Sequence, residues 1–255
     1  MTPRRTEEHR IPEPGVRLYG VLSAVHADAG GAGRRIGTPT GIAAVELLRV
    51  RDLVAAIAPA PFAASPPSTA ELESTHTIVA TLFADRAILP APPGAVFRSR
   101  AAVAAWLELH AAALAEALRY IEDRVEARVH ATRPPSGVAL PGASASAPIT
   151  EVLRTLRRDA VAVLVLRDEA RDASRDAAPR DAVLRDTARD GERGAADEPV
   201  VEGNGALQAA FLVERARWDA FASAVAREHA TRPNLHLALT GPWPPYDFVR
   251  LELGA

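Results

Sequence analysis

Cysteine and lysine are both missing from this 255-residue chain. Without cysteine there is no disulfide, no thiolate metal site and no thiol nucleophile. Without lysine there is no Schiff-base amine and no P-loop lysine. All 30 basic residues are arginine, as a GC-rich coding bias that also favours alanine and proline would produce without any functional cause. An excess of either charge is missing too: 30 basic residues against 32 acidic ones leave a formal −2. The chain therefore lacks the basic surplus of a nucleic-acid binder. No apolar run reaches the roughly 18 residues of a membrane span, and Met1 to Arg10 has no signal-peptide core. These features lead us to expect a cytoplasmic protein with neither nucleic acid nor membrane as partner.

Apolar residues make up 48% of the chain, enough for a packed core. Residues 1–15 are polar and proline-bearing and read as a disordered arm. From 16 to 133 the pattern is strand, strand, strand, helix, strand, helix, strand. Leu18 to Val25 has the apolar density of a central strand. The glycine cluster Gly30, Gly31, Gly33 and Gly37 follows a strand as a nucleotide loop does, but no helix starts after it, and Pro39 and Gly41 break its first turn, so it reads as a flexible connection. Val45 to Val50 and Val54 to Ala58 form a hairpin over Arg51-Asp52, its second arm stopping at Pro59-Ala60-Pro61. Ser68 and Glu71 fit a capping box opening a helix from Thr69 to Ala84. Ala87 to Leu89 is a short strand. Ser99 caps a helix whose stripe is Val103, Trp106, Leu107, Leu114, Leu118 and Ile121. Val125 to Ala131 alternates, with Glu126, Arg128 and His130 on a wet face.

Proline, glycine and serine mark 134–147 as a linker. The second domain, 148–255, opens with a helix in which Ile149, Val152, Leu153, Leu156, Val163 and Leu164 share a face. It carries an Arg-Asp-rich insertion at about 167–203, read as solvated and mobile. Leu207 to Val213 is a strand, and a helix follows with Trp218, Phe221, Ala222, Val225 and Ala226 on one side. The fold class is α+β: two small α/β-sandwich domains, a ferredoxin-like N-terminal one and a ferredoxin-like-related C-terminal one.

The seven histidines, at 9, 26, 76, 110, 130, 229 and 236, show no i, i+4 metal-binding pair. No nucleophile elbow, phosphate loop or calcium loop is present, and Asp247 beside Tyr246 has no evident base or pocket. Catalytic, cofactor-binding and metal-binding residues are accordingly expected to be absent. The most distinctive stretch closes the chain. Leu235, Leu237 and Leu239 alternate with His236, Ala238 and Thr240, as in a strand with one buried face. Prolines 242, 244 and 245 then stiffen a corner, and Phe248 to Leu253 resumes alternation. Trp243, Pro244, Pro245, Tyr246 and Phe248 are the candidate partner-binding or structural corner. Its aromatics either lock the last strand or offer a preorganised docking surface, and different ring faces can do both.

Thr240 to Val249, Thr-Gly-Pro-Trp-Pro-Pro-Tyr-Asp-Phe-Val, resembles the C-terminal signature of the gas vesicle protein F/L family. Leu18-Tyr19-Gly20-Val21 is similar to that family's first strand. Leu89-Pro90 and Gly94 to Phe97 match a further family run, although Ala91, Pro92 and Pro93 stand where its arginine and aromatic usually lie. The resemblance implies a non-enzymatic accessory protein of gas vesicle formation, without cofactor or small-molecule substrate. Its partners would be the hydrophobic shell protein and other accessory proteins, and its location the gas vesicle in the cytoplasm. The alternatives are a cytoplasmic enzyme or small-ligand sensor on paired ferredoxin-like domains, and a component of the vesicle wall itself.

Overall fold

The computed structural model describes residues 13–26, 33–62, 66–84, 86–132, 147–166, 207–251 and 253. The protein is a mixed α+β fold of two compact units, one comprising Met1–Glu126 with Pro242–Ala255, the other Ala127–Gly241. The arm before residue 13, the linker before residue 147 and the 167–203 insertion lie outside the described residues.

The first unit holds strands β1 (Glu13–Ser23), β2 (Arg34–Thr38), β3 (Gly41–Val50) and β4 (Leu53–Phe62), helix α1 (Thr69–Phe83), strands β5 (Ile88–Pro90) and β6 (Val96–Phe97), and helices α2 (Arg100–Leu109) and α3 (Ala111–Ile121). Its sheet runs β2-β3-β4-β1-β5, with β6 also paired to β1. β1 is interior because its apolar run can be covered on both sides: Leu18, Val21 and Leu22 are buried. Two glycines let neighbouring backbone close on it. A Cβ on Gly20 would lie 2.6 Å from the Leu89 carbonyl oxygen, and one on Gly15 would lie 2.9 Å from that of Phe97, so only glycine fits.

Four expectations for this unit need correction. The strand begins at Glu13, so the last residues of the expected arm pair with Phe62 to Ala60. The connection after the glycine cluster contains β2, which pairs with β3 from Arg34↔Val45 to Thr38↔Gly41. A short strand of this composition forms only because a partner supplies its ladder, which local propensity does not reveal. β4 continues through Pro59 and Pro61 to Phe62, because its pairing with β3 ends at Ile57↔Glu46 and no ladder donor is required on that side. The second helix breaks at His110 into α2 and α3, bent by 78°. Its single apolar stripe persisted because both halves bury into one core: Val103 and Leu107 from α2, Leu114, Leu118 and Ile121 from α3. Together the two halves have the length and composition of a membrane span, but no single helix among the described residues does.

The local signals hold. The hairpin turns at Arg51, whose φ is 55°, and Ser99 Oγ accepts the Ala102 N–H to cap α2. At the start of α1 Ser68 Oγ accepts the Glu71 N–H, while Glu71 Oε2 accepts the Ser68 N–H at 3.0 Å. Glu71 Oε1 also meets Arg17 of β1 at 3.0 Å. The Ser68 amide first, then Arg17, pull the Glu71 carboxyl from 4.5 down to about 2. A lowered folded-state pKa means stability that is present above pH 4.5 and lost as the pH falls toward 2. Glu71→Gln should therefore melt below wild type at pH 7 and converge with it at about pH 2. Because Glu71 is 42% exposed, solvent screening keeps the gap small. Thermal melts across that range check this, and a pH-independent gap would contradict it.

The second unit holds β7 (Arg124–Thr132), α4 (Ala147–Arg157), β8 (Ala162–Leu166), β9 (Leu207–Glu214), α5 (Trp218–Thr231) and β10 (His236–Trp243). Its sheet runs β10-β7-β9-β8. β7 was expected to close the first domain and instead joins this sheet, so the units change over at 126/127 and 241/242 rather than within 134–147. Alternation specifies a strand's buried face and not its partner. Val163 and Leu164, expected on the α4 face, lie in β8, since the helix ends at Arg157. Ile149, Val152, Leu156, Phe211, Phe221 and Val225 are buried in the core of this unit.

Candidate functional site

The corner begins inside β10. Leu235 and Leu237 are buried and His236 is exposed, as the alternation requires. Gly241 has φ 126°, a region that favours glycine, so the bend into Pro242 needs this residue. Pro244 and Pro245 are buried, whereas Trp243, Tyr246, Asp247 and Phe248 are half-buried. The Tyr246 N–H donates to the Pro244 carbonyl at 2.7 Å and the Phe248 N–H to that of Pro245 at 3.3 Å. Two successive tight turns follow, and the fixed proline φ leaves them few alternatives.

Three non-local contacts seat the corner in the first unit. Tyr246 Oη lies 3.0 Å from His76 Nδ1 on α1. The His76 ring stands 5.2 Å from that of Trp243 at 63° and 5.9 Å from that of Tyr246 at 38°, separations at which aromatic rings attract beyond simple burial. The Asp247 N–H donates to Glu126 Oε2 at 2.9 Å. Beyond the corner Leu251 is buried, and Val249 and Leu253 pack on the core that holds Leu18, Val21, Leu107 and Ile121.

This placement corrects two further expectations. Phe248 to Leu253 is not a strand of the second domain: residues 246–248 are a turn, 249–251 are irregular, and all belong to the first unit. The apolar side chains bury as the alternation indicates, but against the first unit's core. Glu126 does not share the wet face of β7 and is fully buried. A carboxyl group there is tolerated because the returning chain brings it a backbone donor.

The structure brings Trp243, Pro244, Pro245, Tyr246 and Phe248 together and adds His76 and Glu126, which sequence reasoning missed. His76 carries a usable signal, being four residues after Leu72 and three before Val79 on the stripe of α1. Glu126 carries none, since its partner lies 121 residues further on. Elsewhere the His229 and His236 rings stand 5.3 Å apart. Among the described residues no group of three or more His, Asp or Glu side chains could hold a metal ion. The corner thus presents half-buried rings on a backbone stiffened by three prolines.

A family model described as "Gas vesicle synthesis protein GvpL/GvpF" matches residues 15–250. Among curated proteins, gas vesicle protein F2 of Halobacterium salinarum is 41% identical over 49 residues, covering 19% of this chain and 23% of that protein. Gas vesicle protein L of a Streptomyces species is 45% identical over 49 residues, covering 19% and 18%. Both matches span less than a quarter of the relative's own length. Two crystal structures share the fold over nearly the full chain. Gas vesicle protein GvpF from Anabaena sp. matches with TM-score 0.68 at 15% identity, covering 94% of this chain and 100% of that one. GvpF from Microcystis aeruginosa matches with TM-score 0.62 at 12% identity, covering 93% and 99%.

Proposed function

Since the chain belongs to the gas vesicle L/F family, we propose that it is a non-enzymatic accessory protein that acts in the assembly or nucleation of gas vesicles. The family match across residues 15–250 is the observation that carries this reading. The proposed partners are the small hydrophobic shell protein and other accessory proteins, and the proposed location is the gas vesicle within the cytoplasm. A shell subunit that polymerises through apolar surface needs a partner that covers such surface until assembly. Trp243, Tyr246 and Phe248, on the backbone held by Pro244 and Pro245, are the proposed contact, because rigid half-buried aromatics lose little entropy on binding.

In the second unit the order β7-α4-β8-β9-α5-β10 and the neighbour order β10-β7-β9-β8 support a ferredoxin-like βαββαβ arrangement. The first unit carries extra strands around β1, which makes it a more distant variant.

Co-expression with tagged shell protein tests the function. The chain should co-purify, and Trp243→Ala should weaken the complex by about tenfold, near the lower range of an aromatic anchor, while Trp243→Phe retains most of the binding. No co-purification, together with normal vesicles after deletion of the gene, would remove the reading. Stabilisation by a nucleotide or metabolite in a thermal-shift screen would point instead to a ligand sensor or enzyme.

A further inference from the structure

Among the described residues strand β8 is a terminal strand of its sheet, antiparallel to β9 from Ala162↔Leu212 to Leu166↔Gln208. It reads Ala162-Val163-Leu164-Val165-Leu166, five apolar residues without a charge, proline or glycine. Val161, Leu164 and Val165 are 44%, 40% and 41% exposed. Sheet edges are normally blunted by charge, proline or shortness, because their free amides and carbonyls template pairing with another chain. The other described edges follow that rule. β2 exposes Arg34 and Arg35, β5 has three residues ending in Pro90, and β10 carries exposed His236 and Pro242. β8 has none of these devices.

We propose that the outer edge of β8 is a strand-addition site for an uncharged, valine- and leucine-rich extended segment of an assembling wall subunit. That identity for the occupant rests on the accessory function proposed above. Charge selects the occupant: among the described residues Asp159, close to β8 in the chain, is already paired with Arg217 at 2.8 Å, so a lysine, arginine or acid set against 162–166 would be desolvated without a partner there. Size decides against a stable dimer through this edge and leaves room only for a reversible contact. At about 3.4 Å per residue and a sheet depth of ~10 Å, the edge offers roughly 170 Å² per partner, about 340 Å² in all, against the ~1,200 Å² of a stable interface. Main-chain hydrogen bonds to such an edge give a reversible hold, which suits a helper that must surrender its subunit to a growing wall.

The test uses the full chain and a short labelled peptide of alternating valine and threonine with a lysine at each end, together with co-purification of tagged shell protein. The peptide should bind. Leu164→Lys and Val165→Lys should each weaken both interactions by about tenfold or more with an unchanged melting temperature, since both side chains already reach solvent. Leu109→Lys, at a 79% exposed leucine on α2, should change neither. No peptide binding, equal binding by Leu164→Lys, or equal loss in Leu109→Lys overturns the site and leaves the accessory function standing. Concentration-dependent dimerisation abolished by Leu164→Lys, or peptide binding gained only on deleting 168–205, assigns the edge to a second copy or to the chain's own segment and also overturns it. Edge-dependent peptide binding without any shell-protein co-purification overturns the wall subunit as occupant, whereas the accessory reading falls only if vesicles are also normal after deletion of the gene.

Discussion

Phe211→Ala is expected to destabilise the second unit by about 3–5 kcal/mol, the range for an aromatic-to-alanine change in a core. Phe211 of β9 and Phe221 of α5 are both fully buried, and their rings stand 5.2 Å apart at 53°. Truncation removes the transfer free energy of the ring, leaves a void that packed neighbours fill only in part, and deletes the ring pair. The flanking residues on β9, Ala209, Ala210 and Leu212, are also fully buried, so the site has little freedom to collapse. Phe211→Leu keeps most of the volume and should lose less than half as much. Hydrogen exchange read on peptides from β9 and α5 isolates this unit, where a whole-chain melt would mix two transitions. A loss below about 1 kcal/mol would show that the β9–α5 contact is not the packed centre of the unit.

Glu126→Ala is expected to cost about 1–3 kcal/mol, the range for removing a buried acceptor and leaving its part-buried donor unsatisfied. The substitution takes the acceptor from the Asp247 N–H while Pro244 and Pro245 keep the corner's own turns intact. The corner should therefore keep its internal shape but loosen from its seat. Exchange at 246–249 should rise, and the shell-protein binding proposed for Trp243 and Tyr246 should fall although neither ring is altered. Glu126→Gln retains a side-chain carbonyl acceptor and should restore most of both. Equal behaviour of the two variants would mean that the hydrogen bond to Asp247 does not hold the corner, and that loss of the carboxyl group alone sets the outcome.

Where the deciding interactions are local, the chain could be read directly. The capping box at Ser68 and Glu71, the serine cap at Ser99, the turn at Arg51 and the burial of Leu235 and Leu237 all depend on residues within a few positions of each other. The errors share a different origin. β2 exists because β3 lies beside it, and β4 runs through two prolines because its pairing with β3 has already stopped. The break at His110 stayed hidden because α2 and α3 feed one core, so the apolar period never lapsed. Of the candidate site, the rigid backbone and its aromatics were legible. His76 was legible only in part and Glu126 not at all, for its role is set by a segment that returns to it from the far end of the chain.

By itself the sequence determined the chemistry open to this protein, since a chain without cysteine or lysine has no thiol or amine to offer, and it determined the α+β class and the stiffness of its closing corner. Composition and short-range periodicity suffice for these because they act through residues adjacent along the backbone. Only the tertiary structure decided that β7 pairs in the second sheet, that residues after Gly241 return to the first unit, and that β8 is left at an edge. A strand's alternation states which face is apolar, but its hydrogen-bonding groups are identical at every position, so the choice of neighbour is made by the assembled sheet.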